Sequence, residues 1–286
     1  MDVSGRRVWR RVPPVVIAAC LKWVDRRPEI DPLTGTAGID ARSAGVSDAD
    51  QAALEWALRT GEAWGHGVVA VTAGPEPADD VLREALAAGA TEAIRVELPA
   101  GAPSEAVAAS LAPQLSACDI VWCGDASLDR GSGSVPAYLA AHLGAAQALG
   151  LVQLDVGTSG ELTALRRLDG GRRERLRVTA PGVCSVEGAA ARLRRAPLAA
   201  TLAARTAVID VRPGAGAVLT PSVPTRPFRP RARVLAPPAG ATALERIAAL
   251  TGPATGTAHG QPVVLEPADA ADRILDTLRS WGYLDS

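Results

Sequence analysis

The amino-acid sequence predicts an α/β protein built on a doubly wound, mostly parallel sheet, with added β-hairpins and an extended carboxyl-terminal arm ending in a helix. Three observations predict it. Short continuous apolar runs, such as VVIAACL at 15–21 and DIVWCG at 119–124, have the length and texture of parallel strands covered on both faces. Segments with helical spacing alternate with these runs, as they do in successive βαβ units. Glycines and prolines stand where those helices should stop and start.

The elements follow in order. Residues 15–21 form the first strand. From Asp48 the stretch DADQAALEWALRTGEAWG opens on an N-cap aspartate with Gln51 three places on, and Leu54 and Leu58 fall one turn apart, so an amphipathic helix is expected. A strand then runs to about Ala73 and turns at Gly74-Pro75. A helix with Pro77 near its first turn stops at Gly89, and a short strand ends near Glu97. Pro103 opens a helix through Leu115, residues 119–124 make a buried strand, and VPAYLAAHLG gives a helix that stops at Gly144. After Gly150 the segments LVQLDV, ELTALRRL and RRERLRVT alternate or run apolar, with turn residues at 158–160 and 169–171, and read as hairpins added to the sheet.

Pro213, Pro221, Pro224, Pro227, Pro230, Pro237 and Pro238 punctuate a stretch without periodicity, which reads as an extended arm because proline breaks helices and central strands alike. The last segment, QPVVLEPADAADRILDTLRSWGYL, reads as a short strand and a terminal helix with Ile274, Leu278 and Trp281 near one face. The expected organisation is an α/β core with its hairpins over residues 1–200. The arm, strand and helix would occupy 201–286.

Composition narrows the function. The 286 residues are 48% hydrophobic and 21% charged, which fits a folded globular chain. Thirty basic residues against thirty-one acidic ones leave no overall field for nucleic acid or an anionic membrane. Cys20, Cys118, Cys123 and Cys184 form no CxxC pair and are expected to be reduced core thiols, and with only three histidines no metal-ligand cluster is visible. The apolar run after the basic amino terminus is too short for a membrane span and lacks a cleavage pattern, so a cytoplasmic protein without membrane insertion is expected. No GxSxG, HExxH or Cys/His arrangement supplies a catalytic set, and His142 reads as a packing or surface residue.

In open parallel sheets, ligands bind beyond the carboxyl ends of strands, where helix amino termini and backbone N–H groups can meet a phosphate. Three such ends stand out: Cys20–Lys22, Ala73-Gly74, and the stretch 125–136. The last is the richest. Gly131 and Gly133 permit close backbone approach, Ser132 and Ser134 offer hydroxyls, Arg130 offers charge, and a helix starts just beyond. The stretch can equally be a flexible surface loop. It is neither a phosphate-binding GxxxxGK[ST] loop nor a GxGxxG turn, since the chain's single lysine, Lys22, lies far upstream. Asp129 can orient the loop or bind a ribose. The run RLRR at 192–195 is a solvated face or a contact with an acidic partner.

The stretches SDADQAALEWALRTGE, VVAVTAGP, LREALAAGATEAIRVE and IVWCGDASLDRGSGSVPAYLAAHLG, in this order and spacing, resemble the β subunit of electron transfer flavoproteins over residues 15–187. The resemblance implies a Rossmann-like, adenine-nucleotide-binding fold and a non-catalytic electron-transfer subunit. Such a subunit binds AMP, or FAD in bifurcating members, and pairs with an α subunit that carries the redox FAD. It passes electrons from a dehydrogenase donor towards a respiratory acceptor. The family's nucleotide contacts fall on Cys20, on Ser47, Asp48, Ala49 and Asp50, on Ala73, and on Asp129, Arg130, Gly131, Ser132, Gly133, Ser134 and Val135.

The sequence departs from the family at several of these places. Ser47-Asp48 stands where Asn-Pro is usual, ArgGlySerGlySer replaces a Gln-rich loop, and Pro136 replaces a glycine. The loop expected to recognise a dehydrogenase is GAAARLRRAP at 188–197, and Arg27 aligns with an aromatic near the flavin. The divergence resembles β-like subunits found beside mycofactocin systems. The rival readings are a nucleotide-free scaffold and an adenylate-handling enzyme, the latter lacking its phosphate loop.

Overall fold

The structure, a computed structural model, describes residues 17–31, 33–38, 40, 42–157, 160–215, 237–251 and 263–284. The chain divides into two compact units, Met1–Phe228 and Arg229–Ser286.

The first unit begins with β1 (Ile17–Leu21), whose five residues are all buried. Two short antiparallel pairs follow, from β2 (Trp23–Asp25), β3 (Glu29–Ile30), β4 (Ala37–Gly38) and β5 (Ala44–Val46); β2 pairs with β5, and β3 with β4. The regular alternation then proceeds through α1 (Asp48–Trp64), β6 (Val68–Gly74), α2 (Asp79–Ala88), β7 (Glu92–Glu97), α3 (Ser104–Leu115), β8 (Ile120–Gly124) and α4 (Val135–Leu143). Ser47 caps α1, its hydroxyl accepting from the Asp50 N–H at 3.1 Å. After α4 come β9 (Ala146–Val156), β10 (Leu162–Arg167), β11 (Arg173–Val178), β12 (Gly182–Val186), α5 (Leu198–Arg205) and β13 (Asp210–Pro213).

Nine strands form one sheet in the order β11-β10-β9-β12-β8-β1-β6-β7-β13. The segment from β9 to β13 through β12, β8, β1, β6 and β7 is parallel, whereas β9, β10 and β11 are an antiparallel meander. From β1 the chain moves outward through β6 and β7, then returns to the other flank of β1 with β8. The strand order therefore reverses at the β8/β1 pair, the place where doubly wound sheets leave a crevice at their carboxyl edge.

Alternation along the central strands feeds two cores. Ile17, Ala19, Leu21, Ile120 and Trp122 face Leu54, Trp56, Val81 and Leu82 of α1 and α2. Ala18, Cys20, Val121 and Cys123 face Leu111, Leu115 and Leu139 of α3 and α4. Trp122, fully buried, stacks on Trp56 with ring centroids 6.4 Å apart. All four cysteines are buried and free.

The strand expected to begin after Gly150 starts earlier: β9 already begins at Ala146, and Gly150 sits within it beside a shift of register against β12, its N–H donating to the Ser185 hydroxyl at 3.0 Å. β13 pairs with β7 at the edge of the sheet. Val263, Val264 and Leu265, part of the short strand expected before the terminal helix, are irregular, and 261–262 lie outside the described residues. Most of the proline-rich arm, 216–236, lies outside the described residues, as do Val15 and Val16 of the expected first strand.

The second unit contains α6 (Ala243–Thr251) and α7 (Pro267–Ser280). Both leave apolar side chains exposed, among them Leu244, Ile247, Leu250, Ile274 and Trp281. Among the described residues, no helix is long and apolar enough to cross a membrane.

Candidate functional site

A cleft with about 100 Å³ of free space, continuous with solvent, opens where β1, β6 and β8 end. Its floor is Cys20, Leu21, Ala73, Cys123 and Gly124, and its walls come from the first turns of three helices: Asp50 of α1, Ser104 and Val107 of α3, and Val135 and Pro136 of α4. Helix amino termini carry unpaired N–H groups and the positive end of the helix dipole, so their convergence favours an anionic ligand. Among the described residues, no group of three or more His, Cys, Asp or Glu is placed to hold a metal.

The loop between β8 and α4 forms the rim. Its N–H groups and carbonyls close on each other, Ser127 N–H donating to Ser132 O at 2.9 Å and Gly131 N–H to Ser127 O at 2.7 Å. Gly133 passes so close to the start of the loop that a Cβ there would lie 1.9 Å from the Asp125 carbonyl. Glycine is therefore demanded by backbone packing at this position. The Arg130 guanidinium donates to the Gly101 carbonyl, tying this rim to the loop between β7 and α3. The stretch is thus a folded turn pinned at both ends, not the loose surface loop that its composition equally allowed.

Two carboxylates stand at the site. Asp50, in the first turn of α1, is buried, and its Oδ2 accepts from the Lys22 N–H at 3.0 Å. Burial pushes its carboxyl up to about 6, against the opposing hydrogen bonds of Lys22, Ser47 and Gly124. Gly124 is needed beside it, since a Cβ there would meet Asp50 Oδ1 at 2.4 Å. Asp129 is half-exposed and grips the Lys22 ammonium with both oxygens, at 2.6 and 2.7 Å. Burial acts against ionisation here, but the bonds from Lys22 and Ser127 hold Asp129 below the usual carboxylate range. Deeper in the floor, Cys123 is pushed well above its ordinary value by its hydrogen bond with Cys20 and by burial, so it is an inert thiol.

Of the residues singled out from sequence, Cys20, Asp50, Ala73, Arg130, Ser132, Gly133 and Val135 line the cleft. Ser47, Asp48, Ala49, Asp129, Gly131 and Ser134 flank it: Ser47 caps α1, Asp129 holds Lys22, and Ser134 O accepts from the Tyr138 N–H at 3.1 Å. Asp48 and Ala49 pack against Gly188, whose Cβ would lie 3.1 Å from Asp48 Cβ. Arg27 lies away from these walls, exposed on the segment after β2, with its N–H donated to the Asp25 carboxylate at 2.9 Å. His142 is at the surface.

Sequence reasoning missed Ser104 as a lining residue; Ser127, Pro136 and Lys22 lay within the strand ends it selected but were not named as contacts, and Lys22 was set aside as lying far upstream of the glycine–serine loop. Register could have found it: β1 and β8 are adjacent parallel strands with Ala19 opposite Trp122, so the residues after each strand must meet. Part of the RLRR run also has a different role. Arg194 bonds Glu55 at 3.0 Å and also reaches Glu62, both on α1, so the run is neither simply solvated nor simply free for a partner.

The chain resembles known proteins over most of this unit. A family model described as "Electron transfer flavoprotein domain" matches residues 38–215. FixA of Rhizobium meliloti is 30% identical over 208 residues, covering 68% of this chain and 70% of that protein. The electron transfer flavoprotein subunit beta of Chromohalobacter salexigens is 30% identical over 211 residues, 71% of this chain and 76% of its own. The protein of the same name from Clostridium acetobutylicum is 33% identical over 146 residues, covering 49% of this chain and 56% of that one. The chain therefore spans between about half and three quarters of these relatives' lengths.

Proposed function

We propose, from the premise that this chain belongs to the electron transfer flavoprotein family and is similar to its β subunits, that it is the β-type partner in a heterodimer and keeps an adenine nucleotide in the cleft at the β8/β1 switch point. The observation carrying the nucleotide assignment is the convergence of three helix amino termini, a cationic Lys22 and a glycine-pinned loop around one opening at the sheet's carboxyl edge. That donor set suits a phosphate-bearing ligand. The apolar floor of Cys20, Leu21, Ala73 and Val107 suits the flat face of a base.

In this reading the chain is an electron-transfer subunit and makes no bond itself. AMP is the ligand we favour, with FAD as the alternative. A flavin, supplied mainly by an α subunit, carries electrons when bound. The residues of this chain hold the nucleotide, and the nucleotide in turn fixes the loop at 125–134 and the helix ends around it. Exposed apolar side chains on α6 and α7 offer surface for an α subunit to cover. A dehydrogenase would deliver the electrons, an alcohol dehydrogenase if the mycofactocin-like divergence reflects the true system, and 188–197 is the loop we assign to that contact. Arg27 is proposed as a cation near the flavin only in the assembled heterodimer.

The test is to denature the purified chain, alone and co-expressed with a flavin-bearing α subunit, and identify released small molecules by mass spectrometry. Stoichiometric AMP supports the reading, and FAD supports the bifurcating variant. A chain that never carries either nucleotide is the scaffold instead.

A further inference from the structure

Lys22 is the one lysine in the chain, and it stands inside the cleft. Its N–H is anchored to the buried carboxylate of Asp50, which fixes the backbone at the end of β1 and aims the side chain across the opening. On the far rim its ammonium meets three oxygens of one loop: Ser127 Oγ at 2.8 Å and the two carboxylate oxygens of Asp129 at 2.6 and 2.7 Å. Lys22 and Asp129 are each more than a third exposed, so this pair bridges the mouth of the cleft and can part at small cost. An ammonium has three donors and no acceptor, and here all three are spent on the rim.

Resting on the nucleotide reading above, we infer that Lys22 is a phosphate-recognising residue and Asp129 its internal stand-in, a carboxylate that a ligand phosphomonoester displaces. The chemistry sets the ligand class. A terminal phosphomonoester carries nearly two negative charges near neutral pH, against one on Asp129, and offers three acceptor oxygens to the same ammonium. A phosphodiester group carries one and gains nothing over the carboxylate in charge. The cleft thus selects for nucleoside monophosphates over nucleosides and over ligands with a single phosphodiester. Arg130 does not take this role, because its guanidinium is committed to the Gly101 carbonyl.

Titration calorimetry of the full chain, stripped of endogenous nucleotide, with AMP, adenosine and inorganic phosphate tests this. Lys22→Met should weaken AMP about tenfold or more while leaving adenosine within about twofold, and Lys22→Arg should keep most of the AMP affinity. Asp129→Asn should tighten AMP several-fold, since it removes the competitor without changing the shape of the side chain. The inference is overturned if Lys22→Met weakens AMP and adenosine equally or leaves AMP unchanged, or if Asp129→Asn weakens AMP; the nucleotide reading then survives wherever wild-type AMP binding does. If wild type binds neither AMP nor adenosine, that reading fails on its own. Thermal stabilisation by inorganic phosphate then decides the inference: a gain lost in Lys22→Met sustains it, and no gain in wild type overturns it.

Discussion

Two buried carboxylates on the same helix, Asp50 and Glu55, lie five residues apart on α1 and have opposite surroundings. Glu55 is enclosed by cations: Arg59 one turn on bonds it at 2.8 Å, and Arg194 from the segment after β12 bonds it through side chain and backbone. Burial opposes its ionisation, but Arg194 and Arg59 hold it below the usual carboxylate range. Asp50 has no cationic side chain bonded to it and is held by uncharged donors alone, Ser47 and the backbones of Lys22 and Gly124, while burial lifts it to about 6. The contrast separates two uses of a buried charge. Glu55 ties α1 to the 188–197 segment, whereas Asp50 keeps the end of β1 in place and faces the cleft with its charge only weakly compensated.

The strongest way to break this comparison is to remove Glu55. Glu55→Ala leaves the Arg194 N–H and guanidinium without their buried acceptor, and should cost about 3 kcal/mol of stability in urea unfolding, towards the lower end for a broken buried pair because Arg194 reaches solvent. Nucleotide content should not change. If it falls with stability intact, the division of labour between the two carboxylates is wrong.

Asp50 sharpens the comparison through pH. Burial raises its folded pKa above the ordinary carboxylate value to about 6, so the folded chain binds a proton more tightly than the unfolded one between those values. Stability attributable to this group therefore falls as pH rises through about 4 to 6, and is regained on acidification. Comparing wild type with Asp50→Asn, the wild type should gain about 2 kcal/mol relative to the variant as pH drops from 7 to 4, read by urea midpoints at each pH. Equal slopes for both chains would show that Asp50 is not carrying a destabilised charge.

A smaller effect comes from Gly124, which permits the close packing of Asp50 and has no counterpart beside Glu55. In Gly124→Ala the new Cβ would lie 2.4 Å from Asp50 Oδ1 and 3.0 Å from the Asp50 N, so the first turn of α1 must move. The expected cost is about 1.5 kcal/mol, together with reduced AMP retention, because the helix end that would face the phosphate shifts with it.

Much of this arrangement was legible in the sequence, and the limits are instructive. The apolar runs of β1 and β8 and the helix stops at Gly89 and Gly144 are local signals, and each appears where its pattern placed it, whereas the N-cap of α1 falls on Ser47, one residue before the expected Asp48, because the Ser47 hydroxyl reaches the Asp50 N–H. The glycine–serine loop was recognisable because Gly133 and its neighbours are unusual in composition. The meeting of Lys22 with that loop was not, because the 104 residues between it and Ser127 carry no local trace of the β1/β8 pairing that brings them together. The same holds for Arg194, which a charge run reads as solvated until the fold sets it 139 residues away against Glu55.

The mildest test addresses the cation that Glu55 has and Asp50 lacks. Arg59 bonds Glu55 one turn away while its guanidinium lies 4.9 Å from the Trp56 ring centroid, and Trp56 in turn stacks on Trp122 in the core. Arg59 is nearly half exposed, so solvent screens both contacts, and Arg194 still satisfies Glu55 when Arg59 is gone. Arg59→Met keeps the apolar stem over the indole and should cost only about 0.5–1 kcal/mol in urea unfolding. A loss as large as that of Glu55→Ala would mean that the (i, i+4) pair, rather than the long-range clamp from Arg194, holds the buried carboxylate. Additivity of Arg59→Met with Arg194→Met distinguishes the two, because cations sharing one carboxylate must couple.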